Sequence, residues 1–182
     1  MTSGTEPRPL RRDLIGRMLG AALLHRPTYE DVEHDTSATG QALLAVVVVA
    51  LAVALGGIWL GLEPAGVAWR AVSAVLVWGA AAFVTYWVGT RVFPEPQTEA
   101  DWGQLLRTLA FAQSPSVLLL FLAVPAVGPF LGLASFFWQL ATVALAVRVA
   151  LDYERLWRVV AVVVVWFVVN LVLSGILFSL TA

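Results

Sequence analysis

Four polar residues interrupt the third long apolar tract of this sequence. Gln113, Ser114, Pro115 and Ser116 follow one another in a stretch otherwise built from Leu, Ala, Val and Phe. Proline has no backbone N–H and its ring crowds the preceding turn, so Pro115 predicts a kinked or broken helix whose neighbours re-satisfy the freed carbonyls. The chemistry open to these uncharged hydroxyl and amide groups is hydrogen bonding, either to other helices or to a ligand.

The last two apolar tracts carry further polar residues that could meet this break. Gln139 and Thr142 lie in one tract, and Asn170 and Ser174 lie in the other. Polar groups are costly in hydrocarbon, so we expect them to meet in the interior of a helix bundle. Two interpretations stay open, of which the first is favoured: the cluster joins helices, or it faces a cavity. The candidate cluster comprises Gln113, Ser114, Pro115, Ser116, Gln139 and Asn170.

The remaining residues argue against an enzyme. A serine nucleophile needs a base and an oxyanion donor close by, and no charged residue or His lies at the centre of an apolar tract. The chain has no Cys, which excludes disulfides, thiolate ligands and Cys nucleophiles. His25 and His34 stand among carboxylates, but their spacing matches no metal-ligand pattern. We therefore predict no catalytic residue, no metal site and no cofactor.

The composition is that of a membrane protein. Hydrophobic residues make up 60% of the 182 residues and charged residues only 13%, which is too apolar for a soluble domain. The net charge of -1 provides no basic field for a nucleic acid, so no nucleic-acid partner is expected. All eleven basic residues are Arg, which we interpret as coding bias of a GC-rich bacterial source.

Five apolar tracts are long enough to cross a bilayer as helices, for which roughly 20 residues are needed. Short polar or proline-containing segments separate them. The sequence thus predicts an all-α, polytopic protein with a bundle of five transmembrane helices over residues 41–182. The tracts run approximately over residues 41–62, 68–92, 105–124, 129–151 and 157–180.

The arginines predict the orientation, because cytoplasmic segments of membrane proteins are enriched in basic residues. With the N-terminus inside, only Arg70 falls outside. This distribution predicts a multi-pass protein of the cell inner (plasma) membrane with a cytoplasmic N-terminus and an external C-terminus. Some of the inner arginines are candidate contacts to the anionic inner leaflet, namely Arg11, Arg12, Arg17, Arg107, Arg148, Arg155 and Arg158.

Residues 1–40 form the predicted cytoplasmic segment, and residues 9–24 within it fit an amphipathic interfacial helix. Such a helix could lie on the inner leaflet, dock on a partner protein, or simply pack on the membrane domain. On a helical projection one half-circle is apolar except for Arg11, with Leu10, Leu14, Ile15, Met18, Leu19 and Ala22. The other half-circle holds Arg12, Asp13, Gly16, Arg17 and Gly20.

The third tract and its flanks resemble the Yip1 domain family, in particular its bacterial members. In the third tract the similar pattern is an Arg, an aromatic-Ala-Gln-x-Pro element and a later Pro-x-x-Gly. In the fourth tract it is a Trp, an Arg and a Leu-Asp pair. The resemblance covers roughly residues 27–170. In this sequence the matching residues are Arg107, Phe111, Ala112, Gln113, Pro115, Pro125, Gly128, Trp138, Arg148, Leu151 and Asp152.

The resemblance implies a membrane-embedded adaptor rather than a catalyst. Eukaryotic relatives are associated with vesicle trafficking, membrane shaping and binding of lipid-modified small GTPases. The Asp-Leu-Tyr-Gly-Pro-like element of those members is not evident before the first span here, so GTPase binding is not carried over to this chain. The expected partners are membrane lipids and other membrane proteins or a second copy of the chain. The alternative is a small transporter, channel or lipid-handling protein that uses the broken third helix.

Overall fold

Apolar tracts of this length fold as helices, because a helix satisfies its own backbone donors and acceptors without water. The computed structural model describes residues 12–58, 61, 63–122, 124 and 126–179. Within these residues the chain is helical and has no β-strand, which confirms the predicted all-α class. The α-helices are α1 (Leu14–Ala22), α2 (Arg26–His34), α3 (Thr39–Ile58), α4 (Pro64–Trp87), α5 (Trp102–Ala112), α6 (Gly128–Ala150) and α7 (Leu156–Ser179).

Three further segments have 3-10 or π-helical geometry. A single 3-10 turn, Thr36–Ala38, leads into α3, and a π-helical turn, Val88–Val92, extends α4. A longer 3-10 helix, Ser114–Phe121, follows α5 and is called the 3-10 segment below.

Four helical stretches are long and apolar enough to cross a membrane. They correspond to the first, second, fourth and fifth predicted tracts. The third tract is not one long helix, because α5 ends at Ala112 and the 3-10 segment begins at Ser114. The chain thus changes helix type where Pro115 predicts a break. A crossing by the third tract, which would make five crossings in all, stays a prediction. The four stretches are Thr36–Ile58, Pro64–Val92, Gly128–Ala150 and Leu156–Leu177.

Helix α5 lies at the centre of the bundle. Its side chains Leu105, Leu109 and Phe111 are fully buried. It packs between α3 and α6, and the 3-10 segment continues along the same two helices. Helix α4 packs mainly on α3 and α7.

Helices α4 and α7 run antiparallel. At one end the Trp69 indole donates a hydrogen bond to the Leu177 carbonyl oxygen at 3.2 Å. At the other end the rings of Phe93 and Trp157 meet edge-to-face with centroids 6.0 Å apart. These two contacts fix the register of the pair along its whole length.

Helices α1 and α2 form an antiparallel hairpin that covers α5 and α6. Asp13 caps α1 by accepting a hydrogen bond from the Gly16 N–H at 2.7 Å. The Tyr29 hydroxyl of α2 donates to the Ala21 carbonyl oxygen at 3.1 Å. The helices approach so closely at Gly20 that a Cβ there would overlap Thr28, so only glycine fits.

The face of α1 that packs on the protein differs from the sequence prediction. Gly16, Arg17 and Gly20, which the helical projection puts on the polar side, are buried. On the apolar side, Ile15 and Leu19 are exposed by 67% and 55%. Small residues and an ion-paired arginine allow close packing against the bundle, which leaves part of the apolar side uncovered.

Candidate functional site

Side-chain hydroxyls satisfy the backbone at the break between α5 and the 3-10 segment. In a continuous helix the N–H of residue 115 would bond the Phe111 carbonyl, and Pro115 has no such donor. The Ser114 hydroxyl donates to that carbonyl oxygen instead, at 2.6 Å. From α6 the Thr142 hydroxyl donates to the Ala112 carbonyl oxygen at 2.8 Å. The break therefore leaves neither of these carbonyls without a donor.

Side chains of helix α6 also form hydrogen bonds to residues 113–116 at the break. The Ser135 hydroxyl donates to the Pro115 carbonyl oxygen at 3.1 Å. The Gln139 amide donates to the Gln113 side-chain oxygen and accepts from the Ser116 hydroxyl, the latter at 2.8 Å. Gln113, Ser116 and Gln139 thus meet as the sequence predicts, in a contact that joins helices.

Asn170 does not enter this hydrogen-bonded group. Its amide donates to the Trp166 carbonyl oxygen of its own helix at 2.8 Å. Asn170 shares with Gln139 only the lining of a groove of about 240 Å³ between α6 and α7, which also includes Ser174. Ser114, Pro115 and Ser116 do not line this groove. The prediction of one cluster with all six residues is therefore wrong for Asn170.

The polar cluster has no arrangement for nucleophilic catalysis. The Ser114 hydroxyl donates to a carbonyl and the Ser116 hydroxyl to an amide, so neither bonds to a base. Over the residues that the structure describes, no three His, Asp or Glu side chains come close enough to hold a metal ion. What the geometry can do is hold α5, the 3-10 segment and α6 in one register.

A second polar centre joins the hairpin to the start of α3. The Arg17 guanidinium, only 1% exposed, donates to Asp31 Oδ2 at 3.0 Å and also to Asp35. It reaches the Gln41 side-chain oxygen at 3.3 Å. The prediction that Arg17 contacts the inner leaflet is wrong, because two carboxylates of α2 and its C-terminal end hold the guanidinium inside the protein.

The hydrogen bonds around Asp35 favour its charged form. Hydrogen bonding to Ser37, and next to it the bond from Arg17, lowers the pKa of Asp35 to about 2. Asp31 accepts a further contact from Arg12 Nε at 3.0 Å. The Arg12 side chain is otherwise exposed.

Arg107 holds the C-terminal end of α2. Its guanidinium is buried on α5 and donates to the Val32 carbonyl oxygen at 2.7 Å and to the Glu33 carbonyl oxygen. The last carbonyls of a helix lack intrahelical donors and carry partial negative charge, so a cation is favourable there. Arg107 therefore faces the hairpin rather than lipid, and its assignment as a leaflet contact is wrong.

The Glu33 side chain is buried beside this contact. Burial raises the pKa of its carboxyl to about 7. His34 and Arg107 act in the opposite direction, while Asp152 and Glu30 add to the rise. Near neutral pH a larger fraction of Glu33 is therefore uncharged than for an exposed glutamate.

Glu95 forms a third polar centre on the loop after α4. Its carboxylate accepts from the backbone N–H groups of Glu154 and Arg155 at 3.2 and 3.1 Å, just before α7 begins, and from the Gln97 amide at 2.7 Å. Burial acts to raise its pKa, but these donors and Arg158 hold the pKa below the ordinary value. A carboxylate at the N-terminus of a helix is favoured by the helix dipole.

The other candidate leaflet contacts have different environments. Arg148 and Arg155 are exposed at the end of α6 and in the turn that follows it. Arg148 Nε donates to the Tyr153 carbonyl oxygen at 3.3 Å. Arg158 is largely turned toward the loop after α4, where it donates to the Pro94 carbonyl oxygen. Arg11 lies outside the described residues.

Sequence reasoning did not find the partners of the buried arginines or the role of Glu95. Asp31 and Asp35 are four residues apart at the end of a short helix, which is a spacing that can receive one cation. Glu95 lies between Pro94 and Pro96, and these two prolines predict only a loop. Only the folded chain shows that this loop reaches the start of α7.

Comparison with known proteins identifies one family. The Yip1 domain model matches residues 21–176. This range covers most of the chain and begins within α1, so the match includes α2 as well as the bundle. No curated protein and no solved structure matches the chain.

Proposed function

This chain belongs to the Yip1 domain family, and from that membership we propose that it acts as a membrane scaffold or adaptor, or organises the surrounding membrane, without catalysing a reaction. Its apolar helices make it a membrane protein with several candidate crossings. The partners in this proposal are membrane lipids and other membrane proteins or a second copy of the chain.

The observation that carries this proposal is the internal use of the buried polar groups. Arg17, Arg107 and Glu95 each join two parts of the chain that are far apart in sequence. Gln139 does the same at the break. Arg17, Arg107 and Glu95 bond to other parts of the chain instead of converging on a cavity, as catalytic groups do. Gln139 lines the groove between α6 and α7, but its amide is bonded to Gln113 and Ser116. A stable framework with lipid-facing helices is what such an arrangement provides.

We further propose five crossings, because the loops after α4 and after α6 meet. Glu95 binds the backbone of Glu154 and Arg155, and the Thr98 hydroxyl donates to the Leu151 carbonyl oxygen at 3.0 Å. Helices α4 and α6 therefore end on the same side of the bundle. The chain between them has to reach the opposite side before α6 begins, and α5 with the 3-10 segment is the part that covers this distance.

The length of this part supports the proposal. Helix α5 has 11 residues and the 3-10 segment has 8. With rises of about 1.5 Å and about 2.0 Å per residue, they extend over about 32 Å together if they are collinear. A bilayer core is about 30 Å thick. Both pieces also lie along α3 and α6.

The orientation can be tested with single cysteines, because the chain has none of its own. Ala65 and Ala126 are exposed at the end of the bundle opposite to the Glu95 loop. We expect Ala65→Cys and Ala126→Cys to react with a membrane-impermeant maleimide added outside intact cells. Ser37→Cys, exposed next to the hairpin, is the control that should react only after lysis. Labelling of Ala126→Cys only after lysis, while Ala65→Cys reacts from outside, would contradict the third crossing, and a reversed pattern at all three positions would contradict the orientation.

The function itself is tested by native mass spectrometry of the protein ejected directly from its membranes. We expect the chain to leave the membrane with a second copy or with another membrane protein in fixed stoichiometry, because a scaffold acts through association. A chain that always leaves alone and without a bound molecule would contradict the proposal.

One observation favours the transporter or lipid-handling alternative. The groove between α6 and α7 combines apolar walls with Asn170 and Ser174 in the last helix. In the same mass spectra this alternative predicts a lone chain with one defined small molecule that Asn170→Leu removes. Ser179→Ala is the matched control, since Ser179 lies in the same helix but does not line the groove.

A further inference from the structure

The outward face of α1 is a row of uncovered apolar side chains. Ile15, Leu19 and Leu23 are spaced by four residues, so they lie on one face of the helix. Their exposed fractions are 67%, 55% and 65%. The opposite face packs on the bundle through Arg17 and its neighbours. This row therefore needs an apolar partner outside the described chain.

Hydrogen bonds at the two ends of α1 give its depth along the bundle. At its beginning, Arg17 bonds Gln41 at 3.3 Å, and the Gln41 amide donates to the Arg12 carbonyl oxygen, also at 3.3 Å. At its end, the Trp138 indole donates to the Ala22 carbonyl oxygen, and Trp138 lies near the middle of α6. Helix α1 thus leads from the start of the first crossing helix toward the middle of the bundle.

The first crossing helix marks what surrounds α1 at this level. Directly after Gln41, the side chains of Leu43, Leu44 and Val47 are exposed on α3, as expected for positions that face lipid. From Arg17 to Ala22, α1 rises about 8 Å beyond the level of Gln41. The row on α1 therefore reaches the depth at which α3 already presents leucine and valine to acyl chains.

The returning helix α2 is compatible with this position. Its exposed residues Arg26 and Glu30 form an ion pair at 2.7 Å, four residues apart. The pairing directs the Arg26 guanidinium back along α2 toward the end where Asp35 lies. Long arginine side chains can keep their charge near the headgroups while their stems lie in apolar surroundings.

We propose that α1 is inserted in the membrane without crossing it, with Ile15, Leu19 and Leu23 among the acyl chains of the leaflet on the N-terminal side of the bundle. The partner of this surface is the lipid acyl chain. Only the identity of this leaflet as the cytoplasmic one rests on the proposed orientation.

Spin labels on single cysteines test this insertion in protein reconstituted into lipid nanodiscs. The labelled variants are Ile15→Cys, Leu19→Cys and Leu23→Cys, whose side chains are exposed and can be replaced without repacking the core. We expect oxygen to relax the labels several-fold more than a water-soluble nickel chelate does. The ratio should rise from residue 15 to 19 to 23, because α1 leads inward. Leu51→Cys on α3 is the lipid-facing reference and Ser37→Cys the aqueous one.

Two results would overturn the inference. Labels at 19 and 23 that behave like Ser37→Cys would place the row in water. Labels that neither reagent reaches would place it against protein. Both results are independent of the mass spectra, so a scaffold found there with an aqueous α1 would refute the insertion and leave the proposed function standing.

Discussion

Replacing Arg107 with leucine should release the N-terminal hairpin from the bundle. The variant removes two hydrogen bonds from a charged donor to the carbonyls of Val32 and Glu33. Such bonds contribute about 1.5–3 kcal/mol each, so hairpin docking should weaken by about 3 kcal/mol or more. We expect chymotryptic cleavage after Tyr29, which is fully buried while the hairpin is docked, to become about 100-fold faster, since 1.4 kcal/mol corresponds to about tenfold.

Two matched variants separate the contact from the charge. Arg148 is exposed and makes one hydrogen bond within its own turn, so Arg148→Leu should leave cleavage after Tyr29 nearly unchanged. Arg107→Lys keeps the charge but not the forked geometry that reaches two carbonyls, so its rate should lie between wild type and Arg107→Leu. Cleavage of Arg107→Leu at the wild-type rate would contradict a stabilising role.

The sequence predicts the helices and the break because both depend on local chemistry. Apolar length alone favours a membrane helix, and the missing N–H of Pro115 removes one helical hydrogen bond whatever surrounds it. Satisfaction of the freed carbonyls is also partly local, since Ser114 bonds Phe111 three residues earlier. The donors from Ser135 and Thr142 depend on the position of α6, and the sequence could suggest Thr142 only as a member of a cluster.

The environment of Arg17 could not be predicted in the same way. Helical periodicity separates an apolar from a polar side, and a polar side normally faces water or headgroups. Here its partners Asp31 and Asp35 come from the next helix, and the turn between α1 and α2 brings them together. The error for Arg107 has the same cause, because Val32 and Glu33 are far away in sequence. Both arginine side chains are buried because of partners outside their own helices.

A methyl group at Gly56 should disrupt the contact between α3 and the 3-10 segment. A Cβ at this position would overlap the Leu119 carbonyl oxygen, and a backbone atom cannot move aside as a flexible side chain can. Small residues allow such close approach between membrane helices. Overpacking of this kind costs about 1–3 kcal/mol. We therefore expect Gly56→Ala to lower the melting temperature in detergent by about 2–4 °C per kcal/mol lost.

Gly79→Ala is the matched control for this effect. Gly79 lies within α4, and a Cβ there would meet no atom within 4 Å. Alanine is the better helix former by about 1 kcal/mol, so this variant should melt at the wild-type temperature or above it. The pair isolates the contact at Gly56 from the general effect of adding a methyl group to a helix. Equal melting temperatures for the two variants would mean that the packing of α3 on the 3-10 segment does not depend on this close approach.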